Sequence, residues 1–205
     1  MKVISLLNAK GGVGKTTLSI LIATCLARMG YKVCIVDTDP QGSVSNWANE
    51  NAPFDILEAS TDREIYGLRR RLKYYHYVIV DGAAAISSIS AAAVMVSDLV
   101  LIPVTASPLD FSACGAILAV IEARQELAPV EARFIITKQV RNATMNKTLK
   151  QAIEATGIPP LKTGTTHKQD YVKGLMGGST IYDLKSSSVK GEIDNLVSEI
   201  LNLVA

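Results

Sequence analysis

Cysteine, histidine and long apolar runs are all scarce in this 205-residue chain, and each scarcity excludes a class of protein. The three cysteines, Cys25, Cys34 and Cys114, lie far apart in apolar segments. They form neither a disulfide framework nor a metal-ligand spacing, and reduced, buried thiols are expected. The two histidines, His76 and His167, have no identifiable partner and receive no role. The longest uncharged stretch, residues 82–97, is rich in Ala and Ser and too short to span a bilayer. No repeat, low-complexity tract or linker is present. The first residues lead straight into a strand, so no secretory leader is expected and a soluble, cytoplasmic protein is. Charged residues make up only 20% against 48% hydrophobic, the balance of a globular chain. The length suits one domain, residues 1–205, with a substantial core.

What is present begins at Lys10-Gly11-Gly12-Val13-Gly14-Lys15-Thr16-Thr17. The apolar run Val3-Ile4-Ser5-Leu6-Leu7 reads as a strand, the glycines as a tight turn, and residues 16–29, free of Gly and Pro, as a helix. Strand, glycine loop and helix start make a phosphate cradle. Backbone N–H groups and the positive helix end face an anion, Lys15 adds a full charge, and the Thr16 hydroxyl can ligate magnesium. The general P-loop pattern has a glycine where Ala9 stands, and this loop carries instead a second lysine, Lys10, at its front.

Short β-rich runs alternate with helical stretches throughout. Strands are expected at residues 2–7, 32–37, 77–81, 99–104, 132–137 and 161–163. Most are continuous apolar runs, as in a parallel sheet covered on both faces. The expected fold is α/β: a P-loop NTPase with a mostly parallel, twisted sheet flanked by helices on both faces. Ligands of such sheets bind beyond the carboxyl ends of the strands. The glycine loop, Asp39, Asp81 and the loop of residues 103–110 all fall there. Gly30 stands where a left-handed cap should end the first helix.

Lys-Gly-Gly-x-Gly-Lys-Thr-Thr at a strand–helix junction resembles the deviant Walker A motif of the ParA/MinD group of P-loop ATPases. Val36-Asp37-Thr38-Asp39-Pro40-Gln41 resembles the Asp-x-Asp-Pro-Gln box of the ParA branch, and Val78-Ile79-Val80-Asp81-Gly82 resembles the group's Walker B. The likeness continues through Pro103-Val104-Thr105 and covers nearly the whole chain. Gly82-Ala83-Ala84 departs from the Asp-x-Pro form common in the group, which puts the local geometry after Asp81 in question.

The resemblance implies a magnesium-dependent, slow ATPase. Lys15 and the amides of Gly12 to Thr17 would hold the β- and γ-phosphates, with Lys10, Gly11, Gly12, Val13, Gly14, Lys15, Thr16 and Thr17 as the nucleotide-binding set. Thr16 would ligate magnesium directly, Asp81 through a water, and Asp37 would orient the magnesium shell or Lys15. Asp39 would position the attacking water. Lys10 resembles the signature lysine that reaches a partner subunit's nucleotide, so ATP binding would make a homodimer. Adenine contacts are implied from the strand end at residues 137–138 and from backbone near residues 165–169.

Net charge is only +2, unevenly spread. Residues 1–132 hold eleven Lys/Arg against thirteen Asp/Glu. Residues 133–190 hold ten (Arg133, Lys138, Arg141, Lys147, Lys150, Lys162, Lys168, Lys173, Lys185, Lys190) against three, a balance of +7. That half is a candidate surface for the DNA backbone, non-specific and salt-dependent because no recognition helix or interleaved aromatics accompany it. The plainer reading is a solvated lysine-rich face. Arg69-Arg70-Arg71 and Lys73-Tyr74-Tyr75-His76 read as a solvated helix end. Residues 191–205 carry a helical apolar stripe at 193, 196, 197, 200, 201 and 204. Glu192, Asp194 and Glu199 on the other face would be repelled by anionic lipid, so core packing is expected and membrane binding is not.

With no DNA-binding domain expected before the loop, the chain resembles the small, ParF-like plasmid-partition ATPases. The implied partners are non-specific DNA, a centromere-binding protein that stimulates hydrolysis, and a homodimer or filament, associated with the nucleoid when ATP is bound. Two alternatives stay open: a ParA-like ATPase that positions a protein cargo, and a metabolic P-loop enzyme such as a carboxylating ligase or an iron–sulphur reductase. A reductase should present a surface Cys pair, which Cys114 alone does not supply.

Overall fold

The computed structural model describes residues 1–49, 52–105, 107–140, 143–185 and 187–205, with the backbone alone for residues 108–109 and 143–147. Arg141 lies outside the described residues, as does Ala106 of the expected 103–110 loop, and the Lys147 side chain is likewise not described.

Six strands form one sheet: β1 (Lys2–Leu6), β2 (Val33–Asp37), β3 (Asp55–Glu58), β4 (Tyr77–Asp81), β5 (Leu99–Val104) and β6 (Glu131–Ile136). Their order is β3-β2-β4-β1-β5-β6, and every pairing is parallel. The helices are α1 (Lys15–Arg28), α2 (Ser43–Trp47), α3 (Asp62–Tyr66), α4 (Leu68–Arg71), α5 (Ser88–Val96), α6 (Pro108–Ser112), α7 (Gly115–Leu127), α8 (Ala143–Glu154), α9 (Gln169–Gly174) and α10 (Lys190–Val204). The core strands are continuous apolar runs because both faces are covered. Val3, Val36, Val78, Val80, Val100 and Ile102 face one core with α3, α4, α5, α7 and α8. Ile4, Leu6, Ile35, Ile79 and Leu101 face the other, with α1 and α10. Alternation along each strand serves two cores, so it leaves no polar face to read.

The expected strands agree with the structure except at two places. β3 was not expected: it is four residues, Asp-Ile-Leu-Glu, charged at both ends and at the sheet edge, where charge guards against further pairing. Residues 161–163 form no strand. Isolated parallel bridges flank the stretch on either side, Phe134 with Pro160 and Gln139 with Thr166. Leu161 N–H donates to the Phe134 carbonyl at 2.8 Å, but Pro159 and Pro160 have no N–H with which to extend a ladder.

Gly30 takes the expected left-handed conformation (φ 88°) after α1. The apolar stripe of α10 is consumed in packing: Ile193, Leu196, Val197, Ile200 and Val204 are buried beside α1. Among the described residues no helix is long and apolar enough to cross a membrane.

Because all strands are parallel, their carboxyl ends share one edge. β1 lies centrally, and the chain leaves it first toward β2 on one side and later, from β4, crosses it to β5 on the other. The loop after β1 therefore sits where the strand order reverses, the usual ligand position of such sheets.

Candidate nucleotide-binding site

The loop after β1 turns through Gly12 (φ 76°) and Gly14 (φ 98°), backbone that a Cβ would strain, before α1 begins at Lys15. Lys15 is only 7% exposed, and its Nζ donates to the Lys10 carbonyl at 2.9 Å, so the loop closes around its own ammonium group. Burial lowers the Lys15 pKa, opposed by the nearby charges of Asp81 and Asp39.

Asp81, at the end of β4, is fully buried and accepts from two hydroxyls of α1. Thr16 Oγ1 donates to its Oδ2 and Ser19 Oγ to its Oδ1, each at 2.8 Å. Burial pushes its pKa up to about 6; the two hydroxyls and Lys15 pull it down, and Asp37 pushes it further up. A buried carboxylate held by hydroxyls alone is a costly arrangement that a bound cation would relieve. Hard oxygens from Thr16 and Asp81 at the mouth of a phosphate loop are the donors magnesium takes. The residues present thus fit the nucleotide and the ion that the resemblance implied.

The β2 end is organised differently. Asp37 spends both oxygens on the backbone: Oδ1 accepts from Asp39 N at 3.1 Å, and Oδ2 from Val44 N at 2.9 Å and Ser45 N at 3.2 Å. It folds the Asp39–Gln41 turn and starts α2, and a place in a metal shell would have to share those oxygens. Asp39 is half-buried, with Oδ1 accepting from Gln41 N at 2.9 Å. Thr38 Oγ1 donates to the Asp81 carbonyl at 2.8 Å and ties this turn to β4.

Lys10 is held differently from Lys15. Its side chain is 48% exposed, and its Nζ stands 4.0 Å from Asp110 Oδ1, while Thr105 Oγ1 donates to Asp110 Oδ2 at 2.5 Å. The two lysines of the motif are therefore separated, one enclosed and one half exposed beside Asp110.

Further groups complete the site, of which Ser19 and Asn8 were not singled out by local patterns. Ser19 lies one turn beyond Thr16 on an otherwise apolar helix, a helical spacing that places both on Asp81. Asn8, fully buried, accepts from Lys10 N at 3.0 Å and donates to the Pro103 carbonyl at 2.8 Å, joining the β1 and β5 ends. Thr137 Oγ1 donates to the Val13 carbonyl and Lys138 Nζ to the Gly12 carbonyl, at 2.8 and 2.7 Å. Lys138 is the one described non-glycine residue with positive φ, 51°, at a cost of about 1 kcal/mol. Gly82, next to Asp81, answers to close approach: a Cβ there would lie 2.6 Å from Leu7 Cδ2 and 2.7 Å from the Leu6 carbonyl oxygen.

Beside Gly14 and Thr17 opens a cavity of about 430 Å³, walled by Thr137, Lys138, Thr165, Gln169 and Leu175 among others. It continues from the phosphate loop and has the dimensions of a small-ligand site. Both segments from which adenine contacts were expected line it.

The basic half is only partly free. Lys138 is held on the loop, Lys168 pairs with Glu192 at 3.5 Å, Lys190 donates to the Leu184 carbonyl at 2.8 Å, and Arg133 pairs with Glu131. Lys150, Lys162, Lys173 and Lys185 are exposed. Arg69, in the other cluster, pairs with Asp98 at 3.0 Å.

Residues 4–166 match the CobQ/CobB/MinD/ParA nucleotide binding domain. The chain is similar to Maintenance of carboxysome distribution protein A from Halothiobacillus neapolitanus, 27% identical over 203 residues and covering 95% of this chain and 94% of that one. It is also similar to Protein ParA from Rhizobium radiobacter, 25% identical over 195 residues and covering 91% and 87%. The ATP complex of a variant McdA from Cyanothece has the same fold, with a TM-score of 0.79 at 18% identity over 98% of this chain and 96% of that one. The chain belongs to the CobQ/CobB/MinD/ParA nucleotide-binding family and is a P-loop ATPase of its ParA/MinD type.

Proposed function

We propose that this ATPase is a positioning switch of the DNA-partition kind: it dimerises on ATP, binds DNA non-specifically, and is reset by slow hydrolysis that a centromere-binding partner protein stimulates. The observation that carries the reading is the division of labour between the two lysines. Lys15 is enclosed with Thr16 and Asp81, whereas Lys10 stands outside the loop, half exposed. An enclosed lysine serves the chain's own nucleotide, and an outward one suits the nucleotide of a second copy.

Lys15 and the N–H groups of Gly12 to Thr17 would bind the phosphates. Thr16 and Asp81 would hold magnesium, which when bound neutralises charge on the phosphate oxygens. Asp39, half-buried on a turn that Asp37 braces, would align the attacking water. No strong base adjoins Asp39 in the turn, which suits slow turnover and a timer. Exposed Lys150, Lys162, Lys173 and Lys185 would contribute to a backbone-directed DNA surface.

A second reading has its own support. The similarity to a protein named for carboxysome distribution spans both chains almost end to end. The same switch would then move a protein cargo over DNA through another adaptor.

Both readings are tested by binding of a random-sequence duplex with ATP, with ADP and without nucleotide, at two salt concentrations. Salt-sensitive binding seen with ATP alone, and lost in Lys15→Ala, is expected. A protein that binds ATP but no DNA in any state would overturn the DNA-tracking switch. Given DNA binding, stimulation of turnover by a centromere-type protein or by a cargo adaptor separates the two readings.

A further inference from the structure

We infer that Lys138 is a positioning residue for nucleotide binding, a strap that ties the base-side wall of the cavity to the phosphate loop. The inference rests on the nucleotide-binding reading above and assigns a residue to it. Thr137 and Lys138 follow β6 directly, and both reach across to carbonyls of the glycine loop, Val13 and Gly12 respectively. The two bonds fall on consecutive peptide units of a loop whose function depends on its N–H groups facing inward. Holding the carbonyls of Val13 and Gly12 from outside orients the N–H groups of Gly14 and Val13, since each peptide is planar.

Lys138 also lines the cavity beside Gly14 and Thr17, so one residue touches both the wall where a base would lie and the loop where phosphates would lie. Its left-handed backbone (φ 51°) supports a functional reading, because a lysine gains nothing locally from that conformation. Lys138 N donates to Thr165 Oγ1 at 3.3 Å, and Gln139 N to the Thr165 carbonyl at 2.8 Å, bonds that keep the turn in place. Lys138 is exposed, as is its bond to Gly12, so loss of the strap should leave the fold intact.

The test compares wild type with Lys138→Met, Lys138→Asn and Lys138→Arg. Met keeps the apolar stem without the donor; Asn tolerates the left-handed backbone but cannot reach Gly12. Titrations with ATP and with ADP should show both nucleotides weakened by a similar factor in Met and Asn, about 5- to 20-fold for a charged hydrogen bond at a part-exposed site. Arg should recover most of the affinity. Nucleotide-free melting temperatures should stay within about 2 °C of wild type, as for a surface change. Unchanged affinities in Met and Asn would overturn the inference. So would a loss confined to ATP, which would make Lys138 a direct γ-phosphate contact, or a fall in nucleotide-free stability matching the loss of affinity. If wild type binds neither nucleotide, the nucleotide-binding reading itself fails.

Discussion

Asp81 concentrates the physical conflict of the site in one residue. It is fully buried, two hydroxyls and no cation hydrogen-bond its oxygens, and its pKa is pushed from 3.8 up to about 6. A carboxyl raised in the folded state binds its proton more tightly there than in the unfolded chain. Its contribution to stability is therefore complete below about pH 4 and is lost as pH rises through about 6. The whole effect is at most about 3 kcal/mol. Denaturant unfolding of the nucleotide-free protein at a series of pH values should show this fall in wild type and lack it in Asp81→Asn. Identical pH profiles for the two proteins would refute the assignment. Near neutral pH the Asn variant should be the more stable and the less active, as when a strained site gives up stability for function.

At the scale of elements, the site depends on how closely β1 and β4 end beside each other. Gly82 N–H donates to the Leu6 carbonyl at 3.1 Å, and the absent side chain leaves room for Leu7. The Leu6 carbonyl belongs to the strand that launches the phosphate loop, and this backbone cannot give way as the Leu7 side-chain tip can. Gly82→Ala should cost about 2 kcal/mol or more and shift the loop against Asp81. Chemical denaturation and ATP titration of the same variant should both register it; a fully stable variant with normal affinity would show that the strand ends are free to move apart. α10 illustrates the opposite case. Its amphipathic stripe is a core element, as the acidic residues on its other face led one to expect, because α1 presents an apolar face to it.

At the scale of the whole molecule, the candidate nucleotide site lies at the carboxyl edge of the sheet, with the exposed Lys10 side chain at its front, paired with Asp110. Lys10→Ala should leave the affinity for ATP within about 3-fold, since an exposed lysine adds little in a screened setting. It should abolish ATP-dependent dimerisation as followed by light scattering or sedimentation. Dimers that still form with ATP would remove Lys10 from the proposed interface. A large loss of ATP affinity would place it on the chain's own nucleotide instead.

The amino-acid sequence by itself determined what depends on short stretches of chain. Apolar runs marked the central strands, a glycine pattern marked the turn that needs left-handed backbone, and Lys15, Thr16 and Asp81 were legible from it. The left-handed end of α1 at Gly30 was equally local. Tertiary structure decided what depends on which elements become neighbours. Asp37 reads as a site residue from its motif, yet both its oxygens hold the turn and α2. Ser19 reads as one polar residue on an apolar helix, yet it meets a strand more than sixty residues away. β3 is too short and too charged to announce itself, and exists because β2 offers an open edge. Lys138 read as part of a strand end near the base, and its bond to the glycine loop exists because β6 ends beside that loop. Backbone preference and hydrophobic periodicity act over a few residues and can be read in order along the chain. Hydrogen bonds between distant groups exist only once burial has set the strand order.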